Sequence, residues 1–406
     1  MLGIAPKRGV ECCLGEPSGF GHMTRKPKMT ILIVGGFPPP GAKIFGGMVT
    51  SCKALLESSF SQRFEVELID STQISNPPPG LVTRAAIALK RLVAYSAKVV
   101  FGRPDAVVLF AAIGASILEK GAMAWMARLL GIPVFFFPRG AGLIDIAAGS
   151  RFHHAWIKAS LRGGTYFLCQ GPTWQRFATR EIGFRLERAP IVPNWTASNR
   201  LLEIGARRVA QVPGHSPQLL FLGWLERSKG VFELLQACAE LANSHSFRLI
   251  IAGRGNAEKA AREWVEQSAL GRCVHFVGWV QGDDLDDLLA KSDVLVLPSW
   301  AEGLPNAMIE AMAAKLAVVV TAVGNIPDVV SDGVEALLVP PKDDVRLARA
   351  LRGLLDDPLL CQSLAARGHA FARLHYAVEP AVERLSKIIE RACERPSPPS
   401  LERKRA

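Results

Sequence analysis

From residue 29 onward, short runs rich in Val, Ile, Leu and Phe recur with about one helix of chain between them, and this recurrence restricts the chain to an α/β fold. The first run, 30–34 (Thr-Ile-Leu-Ile-Val), is stopped by Gly35-Gly36 and a proline-rich loop, Phe37-Pro38-Pro39-Pro40, then followed by a helical pattern over 47–59. Further runs stand at 66–69, 106–110, 133–137 and 166–169. After a polar connector near 197–216 the cycle restarts at 218–223, with a helix over 231–242. It continues at 248–252, 274–277, 294–297, 316–321 and 336–339, and a last helical segment covers 359–393. Uniformly apolar strands alternating with helices pair in parallel, with both faces of the sheet covered.

A chain of 406 residues exceeds one ordinary core, so two such units are expected. We divide it into an extension over 1–28, expected to be flexible; a first domain over 29–200; a second over 201–375; a helix over 376–393 returning to the first domain; and a proline-rich basic tail over 394–406, expected to be disordered. Ligands of open parallel sheets sit beyond the carboxyl ends of the strands, so the residues just after each run are the informative ones.

The net charge of +11 is uneven. Residues 1–200 carry 24 Lys and Arg against 11 Asp and Glu, whereas 201–406 carry 24 against 26. Eight cysteines without a CxxC pair suggest a reduced, cytoplasmic chain and no zinc site. The first residues show neither a continuous apolar stretch nor a cleavage site, so no secretory signal is expected. The longest apolar run, 106–118, is shorter than the roughly 18 residues a bilayer requires. Any membrane contact is therefore expected to be peripheral.

Directly after the run 294–297 stands Pro298-Ser299-Trp300-Ala301-Glu302-Gly303-Leu304-Pro305-Asn306-Ala307-Met308-Ile309-Glu310-Ala311-Met312. Pro305 suits the first turn of a helix, and free N–H groups around 304–307 make an anion site that a diphosphate would fit. Glu302 precedes the helix and Glu310 lies inside it, so one carboxylate can accept from sugar hydroxyls and the other from a ribose. A lone acid at a helix start would only complement the dipole. The whole string at a strand end points to a site.

This string resembles the Glu-x7-Glu signature of glycosyltransferase family 4. The turn 221–230 (Phe-Leu-Gly-Trp-Leu-Glu-Arg-Ser-Lys-Gly) is similar to the family's Lys-Gly turn, and 323–330 and 338–341 are similar to its later segments. Matches run from about residue 29 to 385 and are most specific over 218–345. The resemblance implies the GT-B architecture, two Rossmann-like parallel-sheet domains facing a cleft. It implies a UDP- or GDP-sugar donor in the second domain, a saccharide acceptor at the first, retention of anomeric configuration, and no metal or other cofactor.

By the same resemblance, Lys229, Arg227, Arg254, Gly303, Leu304, Asn306 and Glu310 hold the donor, Gly47 lets its phosphate approach from the first domain, and Glu302 is catalytic. The segment 277–280 (Val-Gly-Trp-Val) lines the base pocket. Two positions depart from the family. Trp224 stands where many members have Arg, and Arg139, in 137–142 (Phe-Pro-Arg-Gly-Ala-Gly), stands where many have His; we assign it a catalytic role in orienting the donor sugar or phosphate. The adjacent His153 and His154 read as surface residues.

Asp284-Leu285-Asp286 imitates a metal-binding DxD, but it opens a helix, where acids serve the dipole and the caps. Residues 81–100 carry Arg84, Lys90, Arg91 and Lys98 among apolar residues at helical spacing. They make either a basic amphipathic helix lying on an anionic membrane or a core-facing stripe with a solvated basic face. With Phe152, Trp156, Ile157 and Lys158 they place the acceptor on the first domain. A lipid-linked saccharide, as in bacterial surface-polysaccharide assembly, and a location on the inner face of the plasma membrane fit this pattern. Alternatives are a sugar-nucleotide epimerase or hydrolase of the same fold, and a catalytically silent nucleotide-sugar-binding protein. A nicotinamide-dependent dehydrogenase is disfavoured because the first strand lacks a compact GxGxxG turn.

Overall fold

The computed structural model describes residues 28–39, 44, 46–72, 79–140, 142–208 and 216–394, so the expectations for the two termini fall outside the described residues, as does part of the loop that begins at Gly35. Five parallel strands form the first sheet: β1 (Thr30–Gly35), β2 (Glu65–Asp70), β3 (Ala106–Ala111), β4 (Val134–Pro138) and β5 (Tyr166–Phe167), in the order β2-β1-β3-β4-β5. Six parallel strands form the second: β6 (Gln218–Leu222), β7 (Arg248–Ala252), β8 (Val274–Gly278), β9 (Val294–Leu297), β10 (Ala317–Thr321) and β11 (Leu337–Val339), in the order β11-β10-β9-β6-β7-β8. Each is a Rossmann-like sheet with helices on both faces, as the apolar runs predict. β3 and β4 are buried along their whole length because they lie inside the sheet.

Strand order reverses between β1 and β3 in the first sheet and between β6 and β9 in the second. Loops diverge to opposite faces at such points and leave a crevice.

Three expectations are corrected. The run 166–169 yields only a two-residue strand, since Cys169 pairs instead with Ile191. The segment 359–393 is two helices, Pro358–His375 and Val378–Cys393, because the backbone at 376–378 leaves the helix to exchange hydrogen bonds with Ala197. The chain crosses between the sheets at this pairing. Val378, Val382, Leu385 and Ile389 then pack against Ile31, Ile33 and Phe60 of the first domain, and Arg63 clamps Glu390, Nη2 to Oε2, at 2.6 Å.

The third correction concerns 81–100. Its helix, Leu81–Ala97, has Tyr95 as its one buried residue, while Leu81, Val82, Leu89 and Val93 are 62–85% exposed. The segment is therefore divided: Leu92, Tyr95 and Val99 pack on the first domain's core, while the apolar side chains of its first turn and of its other face are solvated. Among the described residues, no helix is long and apolar enough to cross a membrane.

Candidate active site

The loops that leave β6 and β9 at the strand-order reversal carry Lys229 and Glu302. Lys229 ends the 3-10 turn Arg227–Lys229, and its Nζ lies 2.6 Å from Glu302 Oε1, with the two side chains 26% and 12% exposed. Two glycines explain how two polar loops pack this closely. Gly230 has φ +72°, and a Cβ there would lie 2.0 Å from the Pro298 carbonyl oxygen; Gly324 has φ +58°, and a Cβ there would lie 1.7 Å from the Glu302 carbonyl oxygen. Backbone hydrogen bonds from Trp300 to Ser228 (2.8 Å) and from Asn325 to Gly303 (3.0 Å) lock the same contacts. Glu302 is thus fixed by the loops after β6, β9 and β10.

The helix Asn306–Ala313 follows, with Pro305 at its N-cap and no side chain capping its first amides. Those amides and Lys229 both supply positive potential to the segment that carries Glu302. Glu310, one turn into this helix, is 7% exposed, and burial together with the charge of Asp286 pushes its carboxyl up to about 7. Its carboxyl makes no hydrogen bond to any described residue. Asp286 is itself pushed upward, by burial first, while Arg200 Nε at 2.6 Å opposes that shift. The DxD segment is therefore spent on Arg200, which also reaches Asp283. Among the described residues, no three His, Cys, Asp or Glu side chains converge as a metal site.

Arg139 and Asn306, both expected at the donor, meet in a clasp between the domains. Arg139 Nη1 donates to Asn194 Oδ1 at 2.6 Å, while Nη2 donates to Ser51 Oγ and, at 3.4 Å, to Asn306 Oδ1. The guanidinium lies over the rings of Phe137 and Trp195, at 5.1 and 5.8 Å. With no carboxylate beside it, burial pulls its pKa down to about 10, which leaves it charged at neutral pH. Asn306 Nδ2 donates to the Gly47 carbonyl at 2.8 Å, and Asn194 Nδ2 donates to the Leu304 carbonyl at 2.9 Å. Gly47 thus lies against Asn306. Sequence reasoning missed Ser51 and Asn194, which are 0% and 1% exposed. The only local signal was a polar residue inside an apolar stretch, Val192-Pro193-Asn194-Trp195.

The remaining expected residues scatter. Arg227 is exposed, its guanidinium 5.6 Å over the Phe232 ring. Arg254 is exposed and folds over Gly278, where a Cβ would come within 3.2 Å of its Nη2. Neither pairs with Glu302 or Glu310 among the described residues. Leu304 is buried in the second domain's core, and the Gly303 carbonyl is taken by Asn325. Trp224 packs against Trp279 at 4.8 Å between ring centroids, and its Nε1 lies near Gly46 of the first domain. His153 and His154 stand on the helix Arg151–Leu161, outside this cluster.

Comparison with known proteins follows this geometry. Residues 216–357 match the family model "Glycosyl transferases group 1", the segment that holds β6 to β11 and the Lys229–Glu302 pair. WcaL of Salmonella typhimurium, named for colanic acid biosynthesis, is 30% identical over 195 residues, 46% of this chain and 42% of that protein. The chain spans between 36% and 46% of the length of the curated relatives it matches. Among solved structures, sucrose-phosphate synthase from Thermosynechococcus elongatus superposes with a TM-score of 0.73 at 20% identity, over 90% of this chain and 99% of that one. Anabaena Alr3699/HepE, in complex with UDP and glucose, superposes with a TM-score of 0.64 at 17% identity, over 89% and 100%. The fold is that of these two-domain GT-B glycosyltransferases.

Proposed function

We propose that this chain is a retaining glycosyltransferase that moves a sugar from a UDP- or GDP-sugar to a saccharide acceptor, lipid-linked, in cell-surface polysaccharide assembly. The observation that carries the reading is the Lys229–Glu302 pair beside the uncapped N-terminus of Asn306–Ala313, at the strand-order reversal of the second sheet. The family match over 216–357 supports it, as does the UDP held by HepE within the same fold.

The hard part of such a transfer is stabilising the departing diphosphate. A dianion entering beside Asn306–Ala313 competes with Glu302 for Lys229, so the ammonium moves to phosphate and the carboxylate is released to sugar hydroxyls. Ionised Glu310 accepts from the ribose. The anomeric carbon's bond to phosphate oxygen breaks, its bond to the acceptor oxygen forms on the same face, and the acceptor proton passes to the leaving phosphate. Lys229 and the helix amides do their work electrostatically and need no proton transfer of their own.

The acceptor assignment rests on the helix Leu81–Ala97. Exposed Leu and Val beside Arg84 and Lys90, with no acid on the helix, suit an anionic lipid surface from which a lipid-linked sugar would be presented. The name of WcaL supports surface polysaccharide as the product class.

Calorimetric titration of UDP and GDP into the intact chain tests the donor reading. Saturable binding of one nucleotide is expected, weakened at least tenfold, about 1.4 kcal/mol, in both Lys229→Ala and Glu310→Ala. Binding of neither would overturn it.

A further inference from the structure

Beyond the donor site, the first domain holds a second cationic pocket. A cavity of about 560 Å³ is lined by Arg128, Arg162, Arg185 and Arg188, with Trp125 and Phe184 as its apolar walls. It also includes Gly164 and Thr165, which immediately precede β5, so it opens at the amino end of the first sheet, away from the interdomain cleft. The lining includes no acid, and none of the four guanidiniums pairs with a carboxylate among the described residues. Glu187, between two of them in sequence, does not pair with them either.

What holds these arginines is neutral. Arg128 Nη1 donates to the Arg162 carbonyl at 2.5 Å and its guanidinium lies 5.3 Å over Trp125; Arg162 Nε donates to the Ile182 carbonyl at 3.2 Å; Arg188 lies 4.6 Å over the Tyr166 ring. The Arg185 guanidinium has no hydrogen-bond or ion-pair partner among the described residues. Gly183, at φ +94°, leaves the space that Arg162 fills, since a Cβ there would come within 3.0 Å of its Nη2. Stacking and single carbonyl bonds orient the planar forks and leave most of their N–H donors free. Four like charges converging on one cavity repel each other, and a multivalent anion bound among them converts that repulsion into charge-assisted hydrogen bonds.

We propose that this pocket is a binding site for a phosphate group, distinct from the donor site and independent of the transfer reading. Guanidinium forks match two oxygens of a phosphate at once, which makes phosphate a better fit than a halide or a lone carboxylate. Such a group could arrive on a soluble polyphosphate or on a lipid headgroup. Leu129 and Leu186, next in sequence to Arg128 and Arg185 and 83% and 60% exposed, suit the second source.

The test uses the full-length Lys229→Ala chain, so that the donor site does not compete for the probe. Pyrophosphate is titrated into it by calorimetry, and flotation with phosphatidylglycerol and with phosphatidylcholine vesicles is measured in parallel. The soluble source predicts saturable pyrophosphate binding that falls at least tenfold when Arg185→Gln is added. The lipid source predicts a preference for phosphatidylglycerol over phosphatidylcholine that Arg185→Gln lowers at least tenfold, and lowers again by that factor in a chain whose Leu81, Leu89 and Val93 are already Ser, so that the loss is not the helix's. The exposed Arg185 side chain makes no hydrogen bond or ion pair with the described residues, so Arg185→Gln is expected to remove charge with little cost to the fold; Arg162→Gln with Arg188→Gln is expected to give the larger effect. Pyrophosphate and vesicle binding both indifferent to Arg185→Gln and to the double variant overturn the proposal. UDP or GDP binding to the chain with Lys229 intact but Arg185→Gln is expected unchanged, so failure here and failure of the donor reading are told apart.

Discussion

Glu310 shows how one residue can couple ligand, proton and stability. Its carboxyl lies at about 7 rather than 4.5 because burial removes water and Asp286 adds a like charge. Between those values the folded chain holds a proton that the unfolded chain has released, so stability falls as pH rises through this range. The contribution is complete below about 4.5 and gone above about 7, and a shift of this size corresponds to at most ~3 kcal/mol. Glu310→Gln is therefore expected to raise the melting temperature at pH 8 and to change it little at pH 5, measured by thermal unfolding. Nucleotide affinity of the unaltered chain should rise from pH 6 to 8 as the acceptor carboxylate ionises, and the Gln variant should lack that rise; a flat profile in both would remove Glu310 from ribose binding. The positions of Lys229, Glu302 and Glu310 were legible in sequence because each follows or opens an element with a strong local pattern. Asn194 and Ser51 were not, since their side-chain partners lie 55 to 255 residues away in the chain.

At the scale of elements, most strands were readable within a residue or two, as β3, β7 and β9 show, because uniform apolarity and flanking glycines are local signals. The helix Leu81–Ala97 was readable as a helix but not as a surface. Its periodicity allows either face to be buried, and only the packing around Tyr95, whose hydroxyl donates to the Met123 carbonyl at 2.9 Å, decides which. Arg91 is held by Glu119 at 2.5 Å, which leaves Arg84 and Lys90 as the cations on the open side. Leu81→Ser, Leu89→Ser and Val93→Ser together should cost little stability, within about 0.5 kcal/mol each, since these side chains are already solvated. Cosedimentation with anionic vesicles is expected to fall at least tenfold in the triple variant. If the unaltered chain ignores such vesicles, the membrane reading is lost while the donor reading stands.

At the scale of the whole molecule, the two domains are joined by a shared helix, by a clasp of hydrogen bonds, and by Thr173 and Arg176 of the first domain on Asp328 of the second. The helix Val378–Cys393 gives the first domain part of its core and ties the chain covalently across the cleft. The clasp of Arg139, Asn194, Ser51, Gly47 and Asn306 instead consists of hydrogen bonds, each worth about 1 kcal/mol net. Asn194→Ala with Asn306→Ala should shift the balance toward an open cleft by at least tenfold, seen as a larger radius of gyration in small-angle scattering without nucleotide. No change in that radius would mean that the clasp does not set the domain angle. Residue order alone dictated two parallel α/β sheets, their strands and the loops that carry the acidic and basic site residues, because hydrophobic periodicity and turn chemistry act over a few neighbours. Which cation met which carboxylate, that Arg139 and Asn306 clasp the domains, and which face of Leu81–Ala97 stays wet were decided by contacts between distant segments. Such contacts depend on how the sheets stack and cross, and no local pattern encodes that geometry.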